Sequence, residues 1–449
     1  MKRSIYLLLA VFMGCCLMIA GCKKDEADEQ ADGRPFTPRV FNEAALFPES
    51  PDSVRVLMIG EKLPFTGMQY SPGGKVAISW KVNDKEVSTA DTFAFTATTG
   101  GAFRIRLEVS YEGKTTSRYR DVFVVPDTYQ KKTAAGVVLA YLNDTAGYKY
   151  IDWNTITHLA YKVGTITAAG VMDISKGEPY RKAEELTGRA HINGVPVLLC
   201  VSGTLSGDGW SVSQSNNFGA VITDAAKRAA LVKAIAGYIA AKKMDGVDIM
   251  MTDINASSAI INANIAATGL LLNELRAALG AGAIISVTVP TNQYHDRYPD
   301  LSAATWLNVH AFEDGVHVGP GKVPGQPSGY DYFVAGAQLW KAKYPASKLV
   351  LGIPAFGLRY NQLDADGNNL SWSSYNYIPY KDILAAVPTA SDKEYAAISK
   401  GVYFNGLPLV TQKATYLKQN GFLGAYIWTG DYDVKGANSL TGTIFNVLK

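Results

Sequence analysis

Eight short apolar runs constrain this fold more than any other feature: GVVLAYL, ITHLAY, VPVLLCVS, DGVDIMM, AIISVTVP, TWLNVHAF, KLVLGIP and LGAYIW, spread from Gly136 to Trp428. Each has strand length and carries apolar residues on both alternating faces, the composition of strands covered on both sides in a parallel sheet. Stretches between them have helical period. In TDAAKRAALVKAIAGYIAAKK, Leu231, Ile235, Tyr238 and Ile239 fall on one face, and Thr223 or Asp224 can cap the start. Eight such strands alternating with helices over residues 133–449 predict an α/β fold, a (β/α)8 TIM barrel. A doubly wound open sheet is the alternative, and no glycine-rich phosphate loop supports it.

Upstream, KVAISWKVN, DTFAFTAT, AFRIRLEVSYEG and RYRDVFVVP alternate apolar and polar residues, separated by turn signals at Ser71-Pro72-Gly73-Gly74 and Thr99-Gly100-Gly101. They predict a small immunoglobulin-like β-sandwich over residues 51–127, with Trp80 in its core. Residues 22–50 are acidic, polar and proline-containing, and read as a flexible tether. Residues 1–21 open with Met1-Lys2-Arg3 and continue into a short apolar core, the pattern of a secretory signal rather than of a permanent span. Ile19-Ala20-Gly21-Cys22 resembles the lipobox of bacterial lipoproteins, which implies lipidation of Cys22 and a membrane partner. Lys23-Lys24-Asp25-Glu26 is similar to export tags of Bacteroidetes-type lipoproteins, which implies an outer-membrane anchor and display at the cell surface.

Charge narrows the partner. The 43 basic and 40 acidic side chains leave a formal net charge of +3, so no basic field argues for nucleic acid. Of four cysteines only Cys200 lies beyond position 22; it sits in an apolar strand, reads as a core residue, and leaves the mature chain without an intramolecular disulfide. His158, His191, His295, His310 and His317 show no metal-binding spacing, and neither a metal nor another cofactor is expected.

From Lys131 to Lys449 the chain resembles glycoside hydrolase family 18, the chitinases and endo-β-N-acetylglucosaminidases. MDGVDIMM is similar to the start of the fourth-strand signature DGxDxDxE, LLCVSG stands where the third strand has SxGG, KLVLGIPAFG resembles the seventh strand, and GAYIW resembles the eighth with its closing tryptophan. The resemblance implies a mechanism in which a glutamic acid protonates the glycosidic oxygen while the substrate's 2-acetamido group attacks the anomeric carbon. It also implies an aspartate two residues earlier that orients the acetamide, and a sixth-strand tyrosine that donates to it.

Matched to that signature, Asp245 and Asp248 occupy the two leading aspartates, Met250 the orienting carboxylate, and Thr252 the acid. Positions 248, 250 and 252 point the same way because strand side chains alternate. A threonine hydroxyl cannot serve as proton source near neutral pH. In NVHAFED, the MxYD position of the sixth strand, His310, Phe312 and Glu313 stand, and Phe312 lacks the phenol. The expectation is therefore a degenerate site that binds oligosaccharide or polysaccharide, with N-acetylglucosamine-containing chains first, and that feeds an uptake system. Trp428, Asp248, Tyr141, Trp210, Tyr294, His310, Phe312, Glu313, Arg359 and Trp372 are the candidate binding residues, with Tyr375, Tyr377, Asn143, Asn292, Gln293 and Asp314 nearby in sequence. Two alternatives stand beside it. One is an active chitinase or endo-β-N-acetylglucosaminidase whose acid has moved to Asp253 or Glu313. The other is a barrel that binds or inhibits a protein.

Overall fold

Strands that are apolar on both faces need cover on both faces, and a closed barrel inside a ring of helices supplies it. The computed structural model describes residues 36–48, 54–142, 148–167, 169–174, 182–203, 217–250, 260–291, 294–312 and 317–449. The signal segment and Cys22 lie outside them. The chain divides into two compact units, one reaching Phe123 apart from residues 99–101, the other comprising those three residues and everything from Val124 onward.

The first unit is all-β. Its strands are β1 (Arg39–Phe41), β2 (Arg55–Met58), β3 (Lys62–Phe65), β4 (Gln69–Ser71), β5 (Ala77–Val82), β6 (Lys85–Ser88), β7 (Phe93–Thr96), β8 (Gly101–Tyr111) and β9 (Lys114–Val125). A five-stranded sheet of order β2-β9-β8-β5-β6 is faced by the β3–β7 pair. Aromatic packing joins the two layers: Trp80 of β5 is fully buried, 5.2 Å from the Phe65 ring and 5.3 Å from Phe93. The Trp80 indole N–H donates to the carbonyl of Ala90, so its one polar atom is answered.

The tether expected over 22–50 needs correction within residues 36–48. There β1 pairs antiparallel with β4, and Phe47 is buried, stacked on Phe65 at 5.3 Å. A three-residue strand and one isolated phenylalanine carry too little periodicity to betray themselves; their partners lie more than fifteen residues downstream.

In the second unit, eight parallel strands coincide with the eight apolar runs: β10 (Val137–Leu142), β11 (His158–Ile166), then, after the two-residue antiparallel β12 (Met172–Asp173), β13 (Val197–Ser202), β14 (Gly246–Met250), β15 (Ile284–Pro290), β16 (Trp306–His310), β17 (Leu349–Pro354) and, after an insertion, β22 (Gly424–Trp428). Pairing of β10 with both β11 and β22 closes the barrel. Helix Ala225–Ala241 buries Leu231, Ile235, Tyr238 and Ile239 and is capped by Asp224, whose carboxylate accepts the N–H groups of Ala226 and Lys227. The insertion between β17 and β22 is an antiparallel sheet of β18 (Phe356–Tyr360), β19 (Tyr375–Pro379), β20 (Tyr395–Ala396) and β21 (Val402–Tyr403), ordered β19-β18-β21-β20.

Candidate functional site

Strand β14 and the residue before it carry two carboxylates, Asp248 and Asp245. Asp248 points inward and is fully buried. Its neighbours in register are Cys200 on β13 and Ser286 on β15. Ser286 Oγ donates to Asp248 at 2.6 Å, Asn308 Nδ2 at 2.8 Å and Tyr141 Oη at 2.8 Å. Trp306 Nε1 donates to Asn308 Oδ1 at 2.9 Å, which turns the amide nitrogen toward Asp248. Burial pushes the Asp248 carboxyl up to about 6, and the hydrogen bonds from Ser286, Tyr141, Cys200 and Asn308 keep it from rising further. Ser286, Asn308 and Tyr141, from three other strands, thus converge with the neighbouring Cys200 thiol on one carboxylate deep in the wall.

Asp245, just before β14, has the opposite task. Its carboxylate lies close to Tyr129 and His191 and accepts the N–H of Val197 at 2.8 Å. The Tyr129 ring stacks on His191 at 3.8 Å between centroids. Burial works against the Asp245 charge, but hydrogen bonds from His191, Tyr129 and Val197 outweigh it and hold the carboxyl below its ordinary value. Asp245 thus pins the segment entering the barrel and takes no part in a site at the strand tips.

One layer above Asp248, Met250 is fully buried, with the Cys200 thiol 3.7 Å from its sulfur. Both side chains are soft and apolar, and their contact fills the space with packing rather than charge. Thr252, Asp253, Trp210, Glu313, Asn143, Asn292, Gln293 and Asp314 lie outside the described residues.

At the barrel floor Trp428 is 2% exposed, its ring 5.0 Å from that of Tyr141. Tyr141 and Phe312 are fully buried. Reading Tyr141 as a ligand contact therefore needs correction: its hydroxyl is committed to Asp248, and the residue belongs to the interior network. His310 packs on Phe312 at 4.0 Å, and burial pushes its imidazole down to about 3, so it is neutral at physiological pH. Sequence reasoning missed Tyr426. It shares its strand face with Trp428, and its buried hydroxyl has no hydrogen-bond partner among the described residues. Room for it comes from Gly352, where a Cβ would stand 2.5 Å from the Phe312 ring and 2.6 Å from the Tyr426 hydroxyl.

The remaining candidates sit on loops and on the insertion. Tyr294, half-buried, lies under the Arg297 guanidinium at 4.9 Å. Trp372 is 68% exposed and lies over Gly319, where a Cβ would approach the indole to 2.8 Å and where φ is +100°. Arg359 is a correction. It stands on β18, its Nε donating to Asn376 at 3.1 Å, and alternation turns it to the sheet face opposite Phe356, away from the barrel floor.

Eight parallel strands closed on themselves, a polar layer inside them and side chains gathered at their C-terminal tips define a TIM-barrel protein with its candidate site at the usual end of the barrel. Residues 137–433 match the model of glycosyl hydrolases family 18, and the chain belongs to that family. Among curated proteins it is 25% identical over 281 residues to Endochitinase 1 of Metarhizium robertsii, covering 54% of this chain and 64% of that one. It is also 28% identical over 255 residues to a chitinase-like effector of Moniliophthora perniciosa, covering 51% and 56%. The chain therefore spans less than two thirds of the length of either relative. Among solved structures, a chitinase from Bacteroides thetaiotaomicron superposes with a TM-score of 0.57 at 21% identity, over 70% of this chain and 96% of that one, a likeness of fold.

Proposed function

We propose that this barrel captures a glycan without hydrolysing it, with oligosaccharides containing N-acetylglucosamine, chitin-like or from N-glycans, as ligand class. One observation carries the reading: on the strand where the family resemblance calls for an acetamide-orienting carboxylate, Met250 is buried against Cys200. Asp248, the carboxylate that survives, is held by three donors in the wall and has no free approach to a scissile bond. Thr252 stands at the acid position of the signature and offers no proton of suitable acidity. Loss of a general acid costs about 10²- to 10⁴-fold in rate.

The test measures binding and turnover on the same preparation of residues 36–449, with N-acetylglucosamine oligomers followed by calorimetry and by release of reducing ends. Binding without release is expected, with affinity weakened in Trp428→Ala. Release at enzyme-like rates overturns the reading in favour of a relocated acid, which Asp253→Asn and Glu313→Gln would then identify. Binding of no glycan leaves the protein-binding barrel. The same proposal places the protein on the outer membrane through lipid on Cys22, handing glycan to an uptake system. The lipobox resemblance supports this, and failure of a Cys22→Ser variant to lose membrane association would overturn it.

A further inference from the structure

Strand β16 ends at His310, and side chains take over where its ladder stops. Opposite His310 on β15 stands Pro290, which has no N–H to give. One residue on, Ala311 folds back and donates its N–H to the carbonyl of Val309 at 3.0 Å. Thr291 Oγ1 donates to the His310 carbonyl at 3.0 Å, and Ser328 Oγ donates to the Ala311 carbonyl at 2.7 Å. Next comes Phe312, fully buried in the barrel floor, its ring 4.0 Å from that of His310 and 6.1 Å from those of Tyr426 and Phe356.

Ser328 is held in turn from the helical layer. Lys413, on the helix Leu407–Gln419, is fully buried, and its Nζ donates to Ser328 Oγ, to the Ser328 carbonyl and to Asn405 Oδ1, each at 2.6 Å. Burial works against the charge and pushes the ammonium well below its ordinary value, whereas Glu394 and the face of the Phe333 ring, 4.8 Å away, favour it. Geometry sides with the cation: three acceptors need three hydrogens, which only the ammonium has. An ammonium carries no lone pair, so Ser328 Oγ accepts from Lys413 and spends its single hydrogen on Ala311.

We propose that Lys413 and Ser328 are positioning residues for the candidate site. The buried cation orients the Ser328 hydroxyl, that hydroxyl fixes the tip of β16, and the tip seats Phe312 in the floor. Neither residue touches a ligand. Their effect reaches one because Phe312 and the Tyr426 hydroxyl crowd the space that Gly352 leaves open, so a shift of the ring displaces the hydroxyl. The inference rests on the glycan-capture reading and deepens it by naming what holds its floor.

Hydrogen exchange followed by mass spectrometry on the same 36–449 chain reads the tie without any ligand. In Lys413→Met and in Ser328→Ala, a peptide over 306–312 should exchange about tenfold faster, while one over 197–202 on β13 keeps its rate. Ser328→Thr, which keeps the hydroxyl, should stay near the parent rate. Calorimetry with the N-acetylglucosamine tetramer then reads the site. Each single variant should bind about 3- to 10-fold more weakly, and the double variant no more weakly than the worse single, because both cut one chain of contacts. Should Lys413→Met not fold, Ser328→Ala against Ser328→Thr carries the test. Unchanged exchange at 306–312, equal acceleration at 197–202, or losses that multiply in the double variant overturn the proposal. A parent chain that binds no oligomer sinks the capture reading alone, and the exchange rates still decide whether Lys413 holds the tip.

Discussion

Inside the barrel, the polar side chains around Asp248 answer one another, whereas the insertion sheet leaves a file of hydroxyl-bearing rings reaching the surface. Asp248 draws donors from β10, β15 and β16, and one layer up, Met250 and Cys200 fill their space with sulfur. On the insertion, Tyr395 and its neighbours are held by ring contacts and remain partly open. The difference separates side chains that tie the strands together from side chains that only fill space. Asp245 and Asp248 bind the chain to itself, so removing either strands buried donors. Met250, by contrast, meets the Cys200 thiol, a contact of packing.

If that contrast is right, removing Asp248 should be the most damaging change. Asp248→Ala strips the shared acceptor from Ser286, Tyr141 and Asn308, of which Asn308 keeps a bond to the Tyr141 hydroxyl, and is expected to cost about 3 kcal/mol, measured by urea unfolding of the wild type and variant. A loss under about 1 kcal/mol would mean that the interior layer is not the support described here.

The second test uses pH. Burial raises the Asp248 pKa in the folded chain to about 6, above its unfolded value, so between about pH 4 and 6 the native state binds the extra proton and stability falls as pH rises. Asp248→Asn removes that dependence. The stability of the variant relative to wild type should therefore climb by about 2 kcal/mol from pH 4 to pH 7. A difference that stays flat would break the assignment.

His310 works in the other direction. Its folded value, pushed down to about 3, lies below the unfolded one, so the unfolded chain takes up the proton first and stability is lost as pH falls below about 6.5. Between pH 7 and pH 5 the loss is about 2 kcal/mol, and His310→Gln should flatten that part of the thermal-denaturation profile. The smallest effect belongs to the open region: Tyr395→Ala should change unfolding free energy by about 0.5 kcal/mol or less. A larger loss would make Tyr395 a core residue rather than a surface one.

Much of the fold was legible because long-range packing left a local trace. Strands covered on both faces must be apolar throughout, so all eight barrel strands show in the sequence, as does the Asp224 cap before an amphipathic helix. The insertion sheet did not show. Tyr375 and Tyr377 could be singled out as aromatic, but their alignment with Tyr403 and Tyr395 depends on both strands pairing with the distant β18 through Leu358. The site divides in the same way. Period-two alternation is enough to place Asp248 and Met250 on one face, yet Tyr141 reads as a ligand contact until its hydroxyl is seen to meet a carboxylate 107 positions away.

Residue order alone determined that a barrel would close and that Asp248 and Met250 share a face of one strand, because both follow from side-chain chemistry at fixed period. Only the tertiary structure decided that Asp248 is a brace and that Lys413 meets Ser328, 85 positions back. Those outcomes depend on which groups meet across the barrel and between its strands and helices, and such meetings leave no periodic mark along the chain.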